Sequence, residues 1–320
     1  MANMWSAPKA PAFAPTTAAL FSVLFTFIYV VPFYLSSATR PSPQLTRDAP
    51  SCIRARVRAV TLSSILSLVL TTYVLHQHGG LPLQDIASLL GFWPISLVDT
   101  AKSMSLVAIL FAGPLFEYGI VENGWTDWIR GRGIYQVLTS WMGYRNFVVG
   151  PVSEELIWRA LIIPLHVLAK FSAKQIVFLT PLYFGIAHVH HLYEFQLTHA
   201  RTPLLMAVLR TVFQFTYTSL FGFFAAFVYL RTGNLLTIIL AHAFCNWMGL
   251  PRFYGRVGVE AGVPIGPPDA DKRDDGDSPQ YESRGIAWTV AYYIVLVAGA
   301  VGFYWQLFPL TESSHALLSL

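Results

Sequence analysis

Eight stretches of this chain are apolar over lengths close to the roughly 20 residues that a helix needs to cross a bilayer. They run from about Thr17 to Leu35, Ala59 to Leu75 and Ser103 to Val121, then from Phe147 onward, and then from Gln175 to Leu192, Leu204 to Leu230, Leu235 to Leu250 and Ile286 to Phe308. A hydrocarbon interior offers no water to backbone N–H and C=O groups, so such runs must close their own hydrogen bonds as helices. The expected fold is an all-α, polytopic integral membrane bundle of about eight helices. Charged residues make up 12% of the chain, about half the usual share in soluble domains, which agrees with that class.

The remaining stretches read as connections. The N-terminal 18 residues hold one lysine among prolines and alanines and lead into a run long enough to span, so a retained first helix is expected. Between Leu81 and Lys102, Asp85, Pro82 and Pro94 interrupt the apolar pattern, as in an interfacial or re-entrant piece. The stretch from Glu122 to Arg145 is rich in tryptophan, tyrosine and arginine, the composition of a headgroup boundary. Glu117, near the end of the third run, reads as interfacial or structural. From about residue 266 to 284 the chain turns acidic and proline-rich, which marks a solvated loop. One membrane domain, residues 1–320, should therefore cover the whole chain, with a core at about 147–251.

Two cysteines, Cys52 and Cys245, give neither a disulfide framework nor a thiolate metal cage. The net charge of +4 is small and forms no basic stripe, so nucleic acid is excluded as a partner. The distribution of arginine and lysine says more. Loops one, three, five and seven hold five, three, one and five of them, whereas loops two, four and six hold one, two and one. By the positive-inside rule the odd loops face the cytosol. Glu154, His188, His242 and Asn246 then all fall toward that side at similar depth.

Those polar residues need a reason, because charged groups at mid-bilayer cost about 2.5–3.5 kcal/mol on insertion scales. Gly150-Pro151-Val152-Ser153 reads as a helix opening, with proline and serine suited to the first turn. Glu154 and Glu155 would follow in that turn, where the helix dipole favours negative charge. Adjacent side chains point about 100° apart, so the two glutamates differ in surroundings. Glu155 and Arg159, four apart, can pair and leave Glu154 as a free carboxylate. His242 and Asn246 share one helix face and can both donate, as an oxyanion hole requires; an interhelical polar clamp is the alternative. Taken singly, the Glu-Glu-x-x-x-Arg pattern also fits a charged helix end and His188 an interfacial histidine, as do His190 and His191.

Together, Glu154-Glu155-x-x-x-Arg159, Phe184-x-x-x-His188 and His242-x-x-x-Asn246 resemble the three motifs of the CaaX prenyl endopeptidase family. The flanking text, YFGIAHVHHLYE, FQFTYTSLFGFFAAFVYLRTGN and LAHAFCNWMGLP, is similar to its eukaryotic members over about Phe147 to Pro251. The resemblance implies an intramembrane peptidase of the endoplasmic reticulum, open to the cytosol, that removes the last three residues of prenylated CaaX proteins such as Ras-like and other small GTPases. It also implies that Glu154 and His188 activate a water, that His242 and Asn246 hold the oxyanion, and that Glu155 and Arg159 support them, with no metal and no cofactor. The sixth run offers Phe213, Phe215, Tyr217 and Phe221 as a lipid groove or as plain helix packing, and Arg210 as a candidate for the substrate's terminal carboxylate. Membrane lipid is the other expected partner. Three alternatives stay open: a zinc enzyme using His188, His242 and Glu154 or Glu155, a non-catalytic scaffold of the same fold, and a transporter.

Overall fold

The computed structural model describes residues 10–42, 45–257 and 285–320, and these form helices and connections with no strand. The helices that carry the architecture are α1 (Pro15–Val30), α2 (Pro50–Gln77), α3 (Leu97–Leu110), α4 (Gly150–Glu155), α5 (Ile162–Leu168), α6 (Ala173–Ala187), α7 (His191–Thr198), α8 (Leu204–Thr232), α9 (Leu235–Met248) and α10 (Ile286–Gln306). The acidic run at 266–284 lies outside the described residues.

Pro15–Leu35, α2, α8 and α10 are long and apolar enough to cross a membrane, and α3 with Ala112–Val121 makes a fifth crossing if the bent pair is one span. The protein is thus an all-α, multi-pass membrane protein. The other three apolar runs are helical as well: the fourth belongs to a helical run that ends with α5, and the fifth and seventh, α6 and α9, have 15 and 14 residues. Every residue of α5 is buried, and α9 has only 14 residues. A helix that is apolar all round is an interior helix, whose neighbours and not lipid set its length.

Two boundaries differ from the sequence reading. α2 begins at Pro50, not near Ala59, so Arg54, Arg56 and Arg58 belong to its opening turns instead of a loop. Proline is preorganised for that first helical position, and the long arginine stems can reach the polar boundary. The third run bends by 79° between α3 and Ala112–Val121, where Gly113 and Pro114 remove a side chain and a backbone donor. Beyond the bend, Glu117 accepts from Arg252 at 2.8 Å, a clamp between this run and the chain leaving α9.

The connections gather alternately at opposite ends. At one end Arg145 meets Asp48 at 2.6 Å, and Arg56 meets Glu194 at 2.6 Å. At the other, Ala12 donates to Leu168 (3.0 Å), Leu235 to Gly91 (3.1 Å) and Leu317 to Leu230 (2.7 Å). Gly233, at φ +55°, supplies the left-handed turn that ends α8, and Asn234 accepts from Thr237 N–H to open α9. That turn folds α9 back toward the first end.

Lipid tails are as apolar as the helices, so close approach of small residues holds such bundles together. α6 and α8 show this directly. A Cβ at Gly222 would stand 2.6 Å from Pro181 Cβ, and one at Gly185 would collide with Ser219 Oγ.

Candidate active site

Glu154, Glu155 and Arg159 sit on one unbroken helical run from Trp141 to Leu168, and this corrects the expected helix opening at Gly150. Ser140 caps the run by accepting from Gly143 N–H at 3.0 Å. Ser153 does not cap; its hydroxyl donates back to Val149 O at 2.7 Å and meets the Tyr29 hydroxyl at 2.9 Å. Pro151 lacks an N–H, and the ladder widens ahead of it into a π-helical stretch (Arg145–Val149) instead of stopping, with Gly150 N–H bonded to Arg145 O. A second π-helical stretch, Leu156–Leu161, follows α4. Glu154 and Glu155 therefore lie within the helix, beyond the reach of its N-terminal dipole.

Glu155 is the hub. Its Oε1 accepts from Arg159 Nη1 at 3.0 Å and from His242 Nδ1 at 2.6 Å, and all three residues are buried. The far side of the His242 ring, Nε2, lies 3.8 Å from Glu154 Oε2. One imidazole thus bridges the two glutamates. The Arg159 guanidinium is also sandwiched, 4.5 Å from the Phe184 ring and 5.5 Å from that of Phe221. Removing either partner of such a buried pair strands a charge and costs about 3–5 kcal/mol.

His188 stands at the end of α6, where a 3-10 turn begins. Its Nδ1 faces Phe184 O at 2.9 Å, and a carbonyl can only accept, so Nδ1 carries the proton and Nε2 keeps its lone pair. Phe184 fixes both histidines, with its ring 4.6 Å from that of His188 and 6.3 Å from that of His242. Asn246 is exposed, one turn beyond His242, and donates to Asn146 O at 3.0 Å.

Of the expected substrate-facing residues on α8, Phe221 packs 4.7 Å from the His242 ring, and Phe215 packs toward Gly185 of α6. Phe213 is exposed and edge-on to Tyr217 at 5.6 Å. Arg210 lies over the Phe195 ring at 4.4 Å. These side chains do not form one continuous stripe; Phe221 joins the polar cluster and Phe213 faces out.

Among the described residues, the grouping with metal-ligand spacing is His190, His191 and Glu194, not the set containing His188 and His242. Its carboxylate is already engaged: Glu194 meets Arg56 at 2.6 Å and His191 Nδ1 at 2.9 Å. Burial opposes ionisation of Glu194, but the His191 hydrogen bond and the Arg56 charge outweigh it and hold the carboxyl well below the usual carboxylate range. A cation there would have to displace an arginine.

Two contributors were invisible in the sequence. Tyr29 comes from α1, 124 residues before Ser153, and Arg47 from the loop after α1; neither stands in a motif.

Fold and cluster together define a class: multi-pass membrane proteins that keep an ionisable carboxylate–imidazole–guanidinium chain inside the helix bundle. Residues 136–248, which contain that whole chain, match the family model described as Type II CAAX prenyl endopeptidase Rce1-like. The chain is 37% identical over 239 residues to Probable CAAX prenyl protease 2 of Schizosaccharomyces pombe, covering 75% of this chain and 83% of that protein. It is 33% identical over 228 residues to CAAX prenyl protease 2 of Homo sapiens (68% of each chain), and 30% identical over 247 residues to that of Saccharomyces cerevisiae (70% and 76%). No solved structure matches it. The chain belongs to the type II CAAX prenyl endopeptidase family, a family of peptidases.

Proposed function

We propose that this protein is an intramembrane glutamate-type endopeptidase that removes the C-terminal tripeptide from prenylated CaaX proteins, Ras-like and other small GTPases among them. The observation that carries this reading is the bridging imidazole, with His242 bonded to Glu155 at 2.6 Å and 3.8 Å from Glu154. Family membership supplies the substrate class.

Glu154 takes a proton from the attacking water. His188, with Nδ1–H committed to Phe184 O, offers Nε2 as acceptor for the same water and aligns it. His242 donates from Nε2 to the oxyanion, which requires an imidazolium, since Nδ1–H is already given to Glu155. The proton held by Glu154 then passes to the leaving amine. Asn246 supplies the second oxyanion donor, and loss of one such donor costs about 2.7–4 kcal/mol in the chemical step. Glu155 and Arg159 hold His242.

On α8, Phe221 beside His242 and Tyr217 one turn before it are where the prenyl chain would rest, with Phe213 on the outer rim, while Phe215 turns toward Gly185 of α6 and supports that helix pair. The excess of arginine and lysine in the odd loops supports a cytosolic opening, and family membership supports the endoplasmic reticulum membrane. One membrane domain, with its core at about 147–251, carries the activity.

The test is cleavage of a prenylated CaaX peptide by the purified protein, with Glu154→Gln and a tight chelator as parallel arms. Cleavage abolished by the substitution and untouched by the chelator is expected. Chelator-sensitive cleavage restored by zinc, or binding without cleavage, would overturn the proposal.

A further inference from the structure

The loop after α1 brings an arginine toward the candidate active site, and the mechanism above makes no use of it. Arg47 Nη1 lies 3.4 Å from His191 Nδ1 and 3.7 Å from Glu194 Oε2, both on α7. The His191 ring lies 5.7 Å from that of His188. Arg47 therefore stands one imidazole beyond the histidine that aligns the water.

The position of Arg47 is built. Arg145 Nη1 donates to its backbone carbonyl at 3.2 Å and holds the adjacent Asp48 at 2.6 Å. Arg56 takes Glu194 at 2.6 Å. Within this frame the Arg47 side chain is the more accessible one, 25% exposed against 11% for Arg56 and 19% for Arg145. A preorganised guanidinium loses little freedom when a ligand docks, and its planar fork matches a carboxylate.

An extended chain advances about 3.3–3.6 Å per residue, so the terminal carboxylate of a leaving tripeptide lies about 10 Å from the bond being cut. A guanidinium one histidine beyond His188 is at that kind of reach. We propose that Arg47 binds the substrate's C-terminal carboxylate and thereby fixes cleavage three residues from the chain end, an assignment that rests on the endopeptidase reading above. It takes this role from Arg210, which lies over the Phe195 ring.

The experiment compares two prenylated peptides of one sequence, one ending in a free carboxylate and one in a carboxamide, with the purified full-length protein. Wild type should favour the acid by about tenfold or more in kcat/KM, the scale of one charge-assisted hydrogen bond. Arg47→Ala and Arg47→Gln should lose that factor on the acid, chiefly through KM, and keep their turnover of the amide, so that the acid-to-amide ratio falls toward one. Arg47→Lys should retain part of the ratio, and Arg210→Ala should retain all of it. Amide turnover serves as the folding control. An unchanged ratio in the Arg47 variants, equal loss on both peptides, or a ratio that collapses only in Arg210→Ala would overturn the assignment. A wild-type protein that cleaves neither peptide would instead bring down the endopeptidase reading itself.

Discussion

His242 has two ring nitrogens and two carboxylate neighbours, and which glutamate it serves follows from distance. At 2.6 Å, Glu155 accepts the Nδ1 proton and orients the ring; at 3.8 Å, Glu154 is near Nε2 without being held by it. Glu155→Gln keeps the shape and weakens the acceptor that holds the His242 Nδ1 proton. It should lower kcat by about 100-fold with little change in KM, the size of an oxyanion-donor defect, measured by steady-state cleavage of a prenylated peptide. A variant with normal kcat would detach Glu155 from His242. At this scale the sequence was partly legible. The four-residue spacing of Glu155 and Arg159 was enough to foretell their pairing, since helix geometry alone brings them together. The Glu155–His242 bond was not legible, because 87 residues separate the partners and nothing local marks them. Tyr29 and Arg47 escaped for the same reason: a tyrosine in an apolar helix and an arginine in a basic loop are ordinary residues until tertiary contact gives them partners.

Among the elements, the α6–α8 crossing is the tightest fit near the site. Gly222 lets Pro181 approach, and a Cβ there would also stand 3.3 Å from Arg159 Nη2. Proline's ring carbon cannot swing away, so Gly222→Ala must push the helices apart. Overpacking of this kind costs about 1–3 kcal/mol. A lower Tm in detergent together with reduced turnover is expected; an unchanged Tm would show that the crossing yields without strain. The apolar runs marked α6 and α8, yet helix limits were harder to read. A Gly-Pro-x-Ser sequence signals a helix start by local chemistry, but here the chain arrives already helical from Trp141 and absorbs the proline by widening into π turns. The arginines at the head of α2 misled in the opposite sense, since charge suggested a loop where the long stems let a helix begin early.

For the molecule as a whole, the connections at one end are fastened by arginine–carboxylate pairs and at the other by backbone hydrogen bonds together with side-chain bonds such as Ser313 to Asp99 and Asn234 to Ser96 O. Glu194 is central to the first, joining α7 to Arg56 of α2 and to Arg47. Its folded-state pKa lies below the ordinary glutamate value of about 4.3. Its stabilising contribution is therefore present above about pH 4.3 and is lost as pH falls from there toward the folded value. Glu194→Gln should reduce Tm at neutral pH, where it strands Arg56, and the gap from wild type should narrow below about pH 4.3. A gap that stayed constant through that window would remove Glu194 as the fastener. The alternation of loop charge in the sequence already implied that alternate connections share a side, and the two sets do gather at opposite ends.

The shortness of α9 has one more effect. At about 1.5 Å per residue its 14 residues rise about 21 Å, against a hydrocarbon layer of about 30 Å. A rod of that size cannot reach both surfaces by itself, so α9 alone is not a crossing, and Asn246, exposed in its last turn, lies where the helix stops and not in the middle of a full span.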